Sequence, residues 1–139
     1  MSRRSRGREV ALQLLFQRDF NPDVTREDVE QFVRDRLHGA DLRAFGLSLY
    51  DGVVAQMADI DQRLTQAAEN WRLHRMPAVD RNVLRLGAFE LLHAPDTPAA
   101  VAFDEAIELA KRYGTAESPA FVNGVLDQLR KAAANRDEA

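Results

Sequence analysis

Closely spaced arginines at the amino terminus are the residues whose type and spacing most suggest chemistry. The first 18 residues contain these charged side chains: Arg3, Arg4, Arg6, Arg8, Glu9 and Arg18. Five arginines against one glutamate give this segment a net charge of plus four, whereas the 139-residue chain carries minus three. Guanidinium groups pair with phosphates, so this end suits a polyanion, and the acidic remainder suits a basic partner. Charge alone leaves a second interpretation open, in which the arginines form a solvated tail.

The same segment is predicted to be helical, beginning near Ser2 or Ser5 and ending near Asp19. Cationic side chains at a helix amino terminus oppose the macrodipole, at a cost of about a few tenths of a kcal/mol each. An anion bound at this end would remove the conflict.

No arrangement of catalytic or metal-binding residues is apparent. The three histidines, His38, His74 and His93, are far apart, and none belongs to an H-E-x-x-H pair. The glycines form neither a dinucleotide fingerprint nor a phosphate-binding loop, and no serine stands in a nucleophile elbow. The chain has no cysteine, which excludes disulfides and thiolate metal sites. We therefore expect no enzymatic activity, no metal and no cofactor.

Recognition surfaces are the remaining candidates. Ser118 is predicted to cap the last helix, where Phe121 belongs either to the core or to a base-stacking surface. Asp80 opens the central helix, where it suits the helix dipole and could also contact a basic protein. The polar stripe of that helix is a further candidate surface, formed by Arg81, Asn82, Arg85 and His93.

Apolar residues recur at helical spacing throughout, with no alternating β pattern. We predict one all-α domain over 1–139, with about seven helices around a buried central helix at about 77–94. The arginine-rich start covers about 1–8, and 133–139 should fray. Within the central helix, Glu90 lies in an apolar arc and requires a hydrogen-bonding or cationic partner.

Several local features follow from spacing. The segment from Thr25 to Asp28 resembles a capping box that opens the second helix. Asp41 is predicted to cap the third helix, and Thr97 to cap the sixth with Pro98 at its first position. Ile60, Leu64, Ala67 and Trp71 fall on one predicted core stripe of the fourth helix. Gly114 suits a left-handed helix end, and Gly124 suggests a close backbone approach.

The compartment also follows from composition. No apolar run approaches the roughly 18 residues that a membrane span needs, and no secretion signal follows the arginines. We expect a soluble, cytoplasmic protein.

Four blocks match one known pattern in the same order along the chain: 8–16 (REVALQLLF), 79–91 (VDRNVLRLGAFEL), 103–111 (FDEAIELAK) and 121–127 (FVNGVLD). Together they closely resemble the bacterial NusB family, while residues 20–75 match it only in helical pattern. The resemblance implies a factor of transcription antitermination and ribosomal RNA synthesis that acts with RNA polymerase and other Nus factors. It implies two direct partners, the boxA element of single-stranded nascent RNA and NusE, a small-subunit ribosomal protein.

The resemblance also implies site residues. Carried over by position, the RNA-binding residues are Arg3, Arg4, Arg6, Arg8, Glu117, Ser118 and Phe121, and Asp80 faces NusE. Two departures concern the strength of the loop contacts: Ala120 stands where the family often has a basic residue, and Pro119 stiffens the turn.

Alternatives remain at this level. Similar sequences form an amino-terminal RNA-binding domain of ribosomal RNA methyltransferases, although this chain is expected to end before a cofactor-binding domain. A helical protein-interaction module with a solubilising arginine end is a rival function. Family members occur as monomers and homodimers, and the sequence does not decide between them.

Overall fold

The computed structural model describes residues 2–69 and 71–138, which form seven α-helices and one short 3-10 helix with no strand among them. The helices are α1 (Arg3–Phe20), α2 (Arg26–Arg36), α3 (Ala40–Ala55), α4 (Met57–Ala67), α5 (Ala78–His93), α6 (Ala99–Tyr113) and α7 (Ser118–Glu138), and the 3-10 helix is Leu73–Arg75. The all-α prediction is confirmed.

The predicted central helix corresponds to α5, which packs against α1, α3, α4, α6 and α7. Val83, Leu84 and Ala88 are fully buried along it. A helix covered on nearly every side needs apolar residues around most of its circumference, which is the pattern in the sequence. The position of α5 therefore fixes where the ends of the other helices lie.

The predicted helix starts are correct for α1 and α2. The Ser2 hydroxyl accepts a hydrogen bond from the Ser5 N–H at 3.1 Å. Thr25 and Asp28 form a reciprocal capping box at the start of α2. Each arrangement satisfies backbone N–H groups that have no partner inside the helix.

The N-cap of α3 differs from prediction by two positions, and that of α6 differs by one. Gly39 precedes α3 with φ of 96°, a conformation that glycine adopts without strain, so Asp41 lies in the first turn instead of capping it. Pro98 is the N-cap of α6, and its carbonyl accepts from the Val101 N–H, so Thr97 does not cap that helix.

The end of α4 also differs from prediction. Helix α4 ends at Ala67, so the predicted core position of Trp71 is wrong, and this side chain is 55% exposed. Helix α7 extends to Glu138, since its alanines favour helix, and the expected fraying of 133–139 stays a prediction. The last residue, 139, lies outside the described residues. No described helix is long and apolar enough to cross a membrane.

Candidate nucleic-acid interface

The first turn of α1 exposes two of the predicted RNA-binding arginines. The Arg3 guanidinium donates to the His38 carbonyl at 3.4 Å, next to the start of α3. The Arg4 guanidinium carbon lies 4.4 Å from the centroid of the Phe45 ring, within cation–π distance. Both side chains remain exposed, so this end of the helix presents positive charge to solvent.

Arg8 lies in the protein interior. Its Nε and Nη2 donate to the two carboxylate oxygens of Glu90 at 2.8 and 2.9 Å, and the side chains are 4% and 2% exposed. Burial disfavours the charged guanidinium, but the hydrogen bonds and charge of Glu90, together with the charge of Glu105, outweigh it and raise the pKa of Arg8. Glu90 thus has the partner that the sequence required, whereas Arg8 is not available to bind RNA.

The burial of Arg8 has a signal in the sequence. Arg8, Leu12 and Leu15 are spaced at i, i+4 and i+7 and therefore share one face of α1. Leu12 and Leu15 belong to the core. The expectation that Arg8 contacts RNA came from the family resemblance, which was carried over to all four arginines without regard to this helical phase.

Glu9 connects Arg6 to the end of α6 and was missed as a site residue. Its buried carboxylate is paired with Arg6 and accepts from Arg112 Nη1 at 2.9 Å and from the Tyr113 hydroxyl at 2.5 Å. Burial alone would raise the pKa of Glu9, but the hydrogen bonds from Tyr113, Arg112 and Arg6 outweigh it and lower that pKa. Glu9 therefore stays ionised and holds the arginine end of α1 against the segment that leads into the loop before α7.

That loop is held by buried hydrogen bonds to the start of α5. The Ser118 hydroxyl accepts from the Thr115 N–H at 2.9 Å and donates to an Asp80 carboxylate oxygen at 2.7 Å. Ser118 is 1% and Asp80 7% exposed, so neither side chain is available to a partner. The expected roles of Ser118 in RNA binding and of Asp80 in NusE binding therefore need revision, since both side chains position the loop instead.

Two details of the loop differ from prediction. Ser118 is not the cap of α7, because the Glu117 carbonyl accepts the Phe121 N–H at 3.1 Å. Gly114 is extended, with φ of −96° and ψ of −162°, so the predicted left-handed conformation is wrong. A side chain at Gly114 would bring its Cβ within 2.4 Å of the Ser118 hydroxyl, which explains the glycine by close approach. The Glu117 side chain is exposed and accepts from the Thr115 hydroxyl at 3.1 Å.

Phe121 belongs to both of the environments that the sequence left open. Its partly buried ring packs against the core and also meets the exposed Trp71 ring edge to face, with centroids 5.8 Å apart. The sequence could not reveal this pair, because the apolar stripe of α4 fits a helix that reaches Trp71 as well as one that ends at Ala67. The structure thus adds an aromatic residue beside a predicted site residue.

The polar stripe of α5 is largely an internal ion-pair network. Asp19 accepts hydrogen bonds from Arg81, Asn82 and Arg85, and Arg85 also makes two bonds to Asp61 at 2.9 Å each. Asn82 and Arg85 are buried. This network joins α1, α4 and α5 and lines an open cavity of about 500 Å³. Most of the polar stripe is therefore engaged in ion pairs, and its role as a recognition surface stays a prediction.

Known proteins are similar to this chain over nearly its whole length. A model of the NusB family matches residues 5–131. The transcription antitermination protein NusB of Sorangium cellulosum is 49% identical over 129 residues, which cover 93% of this chain and 92% of that protein.

Two solved structures resemble the fold. T. maritima NusB has a TM-score of 0.83 and 38% sequence identity, with 100% of this chain and 99% of that one covered. A chain in the crystal structure of antitermination factors NusB and NusE in complex with dsRNA has a TM-score of 0.85 and 27% identity, with 95% and 98% covered.

Proposed function

Because the chain belongs to the NusB family of transcription antitermination proteins, we propose that it binds boxA RNA together with NusE in the cytoplasm. It would act within an antitermination complex on RNA polymerase, with other Nus factors, during ribosomal RNA synthesis. The similar crystal structure of NusB and NusE in complex with dsRNA supports NusE and RNA as partners. The single-stranded boxA element is what the family resemblance implies.

The observation that carries the proposal is the exposed positive start of α1, which Glu9 connects to the end of α6. Arg3, Arg4 and Arg6 can pair with phosphates without leaving a buried carboxylate unpaired, since Glu9 keeps its bonds from α6 when Arg6 turns outward. Single-stranded RNA would continue from these arginines across the loop to Phe121, where an unstacked base can meet the ring. Glu117 would accept from a base amino group.

The buried members of the expected site have supporting roles in this proposal. Arg8 holds α1 against α5 through Glu90, and Ser118 fixes the loop through Asp80. These contacts orient the exposed residues without touching RNA. Fixing them in the free protein lowers the ordering cost of binding.

NusE would cover the groove beside Asp80 rather than Asp80 itself. This groove lies between α1, α2, α5 and α6 and is lined by Leu12, Gln13, Phe16, Gln17, Phe32, Arg36, Val79 and Tyr113. Phe20, which is 72% exposed, packs against Phe16 at the same end of α1. Exposed aromatic residues next to an apolar groove are typical of a protein interface.

Replacing Arg3 and Arg4 together by Gln is expected to flatten the salt dependence of RNA binding. Each phosphate contact on a single strand contributes about −0.7 to the slope of log K against log salt concentration, so losing two contacts changes the slope by about 1.4. Binding of a boxA-like RNA is measured at several salt concentrations. Arg34→Gln, an exposed arginine on α2, is the matched control and should leave the slope unchanged.

Point substitution is preferable to deletion of residues 1–8. Deletion would also remove Arg8 and leave Glu90 buried without its cation. A loss of RNA binding could then result from a loss of stability rather than from the loss of phosphate contacts. A folded Arg3→Gln, Arg4→Gln variant whose salt slope equals that of the wild type would reject the proposed RNA path. Failure of the wild-type chain to bind the RNA in moderate salt would instead favour the protein-interaction module.

A further inference from the structure

A groove separates the end of α4 from the first turns of α7 and encloses about 290 Å³. Its lining consists of Ala67, Ala68, Glu69, Trp71, Ala120, Phe121, Gly124, Val125 and Gln128. The groove shares Phe121 with the proposed RNA path and continues along α7 to Gln128, near the middle of that helix. The family resemblance in the sequence assigned none of its other residues to RNA.

Trp71 forms one wall of this groove and is poorly explained as a packing residue. Its side chain is 55% exposed, and its ring meets Phe121 at an interplanar angle of 72°. In an edge-to-face pair, only one face of one ring is covered by the partner. The pair therefore leaves aromatic surface open, where a flat ligand could cover it.

The opposite wall of the groove, on α7, is formed by small residues. Ala120 and Gly124 are four residues apart on α7 and so lie on the same face of the helix, beside Phe121 and Val125. A Cβ added to Gly124 would meet no heavy atom within 4 Å, so the expected close backbone approach at this glycine is wrong. Glycine inside a helix costs about 1 kcal/mol relative to alanine, and here no packing contact accounts for it.

We propose that this groove binds one unpaired base of the RNA, stacked on Trp71 and accommodated by the missing side chain at Gly124. The proposal rests on the RNA-binding function proposed above and extends its contacts beyond Phe121. A flat aromatic ring suits an open aromatic wall, and base stacking on aromatic side chains is the usual mode of single-strand recognition.

Polar groups at the rim fit a base better than an apolar peptide side chain. Gln128 and Glu69 line the groove, and both residues are exposed. An amide can donate to and accept from a base edge, and a carboxylate can accept from a base amino group. The Glu69 carboxylate would repel a phosphate, so the sugar–phosphate backbone must pass outside the groove with only the base directed inward.

Trp71 is the only tryptophan in the chain, so its fluorescence reports on this groove alone. Titration of the full-length protein with a boxA-like RNA is expected to quench the emission as binding saturates. Trp71→Leu and Gly124→Leu should each weaken binding about 5- to 150-fold, the range expected for the loss of one stacked base. Their salt slopes should match that of the wild type, because no phosphate contact changes.

Gly124→Ala is the matched control for the groove-filling variant. Both substitutions improve helix propensity, so both variants should fold, but only leucine is large enough to fill the groove. Affinity should therefore be reduced much more by leucine than by alanine. An RNA with one abasic position in place of the bound base should bind the wild type as weakly as the intact RNA binds Gly124→Leu. The abasic RNA should also bind the wild type and Gly124→Leu with equal affinity.

The outcomes separate this inference from the proposed function. If the wild type binds RNA with an arginine-dependent salt slope, but the emission stays constant and Gly124→Leu binds as the wild type does, the groove is not a base site. If NusE quenches the emission and RNA does not, a protein covers the groove and the inference is also overturned. If the wild type binds no RNA, both proposals are rejected.

Discussion

Replacing Arg8 by Met is expected to lower the free energy of unfolding by about 3–5 kcal/mol, because it leaves the Glu90 carboxylate buried without its cation. The two side chains are joined by two short hydrogen bonds and are almost inaccessible to water. Glu105 loses a neighbouring charge as well, since its carboxylate lies 3.6 Å from Arg8 Nη1. Urea denaturation followed by circular dichroism at pH 7 measures the loss.

Replacing both Arg8 and Glu90 by Met should recover most of that stability, because an apolar pair of similar volume needs no charge compensation. Arg4→Met is the surface control and should change stability by no more than about 0.5 kcal/mol. The double variant should also bind RNA as the wild type does, since Arg8 touches no RNA in this account. A double variant that is stable but loses RNA affinity would show that Arg8 contributes to RNA binding.

Replacing Asp19 by Asn is expected to have the second large effect. It should reduce the free energy of unfolding by about 3 kcal/mol at pH 7. Asp19 is the carboxylate shared by Arg81, Asn82 and Arg85, and its side chain is only 17% exposed. An amide keeps the shape but removes the negative charge and points N–H donors at guanidinium donors. Asp19 is the α1 residue that accepts these bonds, so its replacement weakens the connection between the end of α1 and α5.

The effect of Asp19 should also depend on pH. Burial would raise the pKa of this carboxyl, but the hydrogen bonds from Arg81 and Asn82 and the charges of Arg85 and Arg81 outweigh it, so the pKa lies below the ordinary 3.8. A lowered folded pKa gives stability that is present above the unfolded value and is lost as the pH falls through the folded one. The stability difference between wild type and Asp19→Asn should therefore narrow below pH 3.8.

Asp51→Asn is the control for the Asp19 variant. Asp51 also makes two bonds to an arginine, Arg26, but both side chains are about half exposed, so the expected loss is only about 0.2–1 kcal/mol. Equal losses for the two variants, or a constant difference between wild type and Asp19→Asn down to pH 3, would contradict the assignment of Asp19 to an internal network.

Local features of this fold were predictable because they depend on neighbours in sequence. The Ser2 cap and the capping box of Thr25 and Asp28 involve residues three apart. The apolar circumference of α5 identified the central helix for the same reason. The sequence also indicated that Glu90 needs a partner, but that partner, Arg8, lies 82 residues away and could be identified only from the packing of α1 on α5.

The site was harder to predict because its burial depends on contacts between distant elements. Ser118 and Asp80 look like exposed helix-start residues until α5 and α7 meet and enclose them. Trp71 shows the opposite error, since its spacing suits a core stripe while the chain leaves the helix at Ala67. Arg4 and Arg8 are four residues apart and share one face of α1, so residue type and helical phase do not distinguish them. Arg4 is exposed because it lies in the first turn, whereas Arg8 lies one turn further along the helix, where Glu90 contacts it.

These corrections change the account of recognition. The proposed RNA surface carries less charge than the sequence suggests, because one of the four expected arginines is internal. It has more aromatic area, because Trp71 adjoins Phe121. Buried polar side chains, chiefly Glu9, Asp80 and Ser118, hold the exposed residues in place. In the proposed function, recognition therefore depends on side chains that the packed helices hold in place.

Ultraviolet crosslinking of a boxA-like RNA to the full-length protein with NusE, followed by peptide mapping, tests this account most directly. Crosslinks are predicted in two places, the first turns of α1 that carry Arg3, Arg4 and Arg6, and the aromatic pair of Trp71 and Phe121. Crosslinks that leave both places untouched, in a complex that still forms, would contradict it.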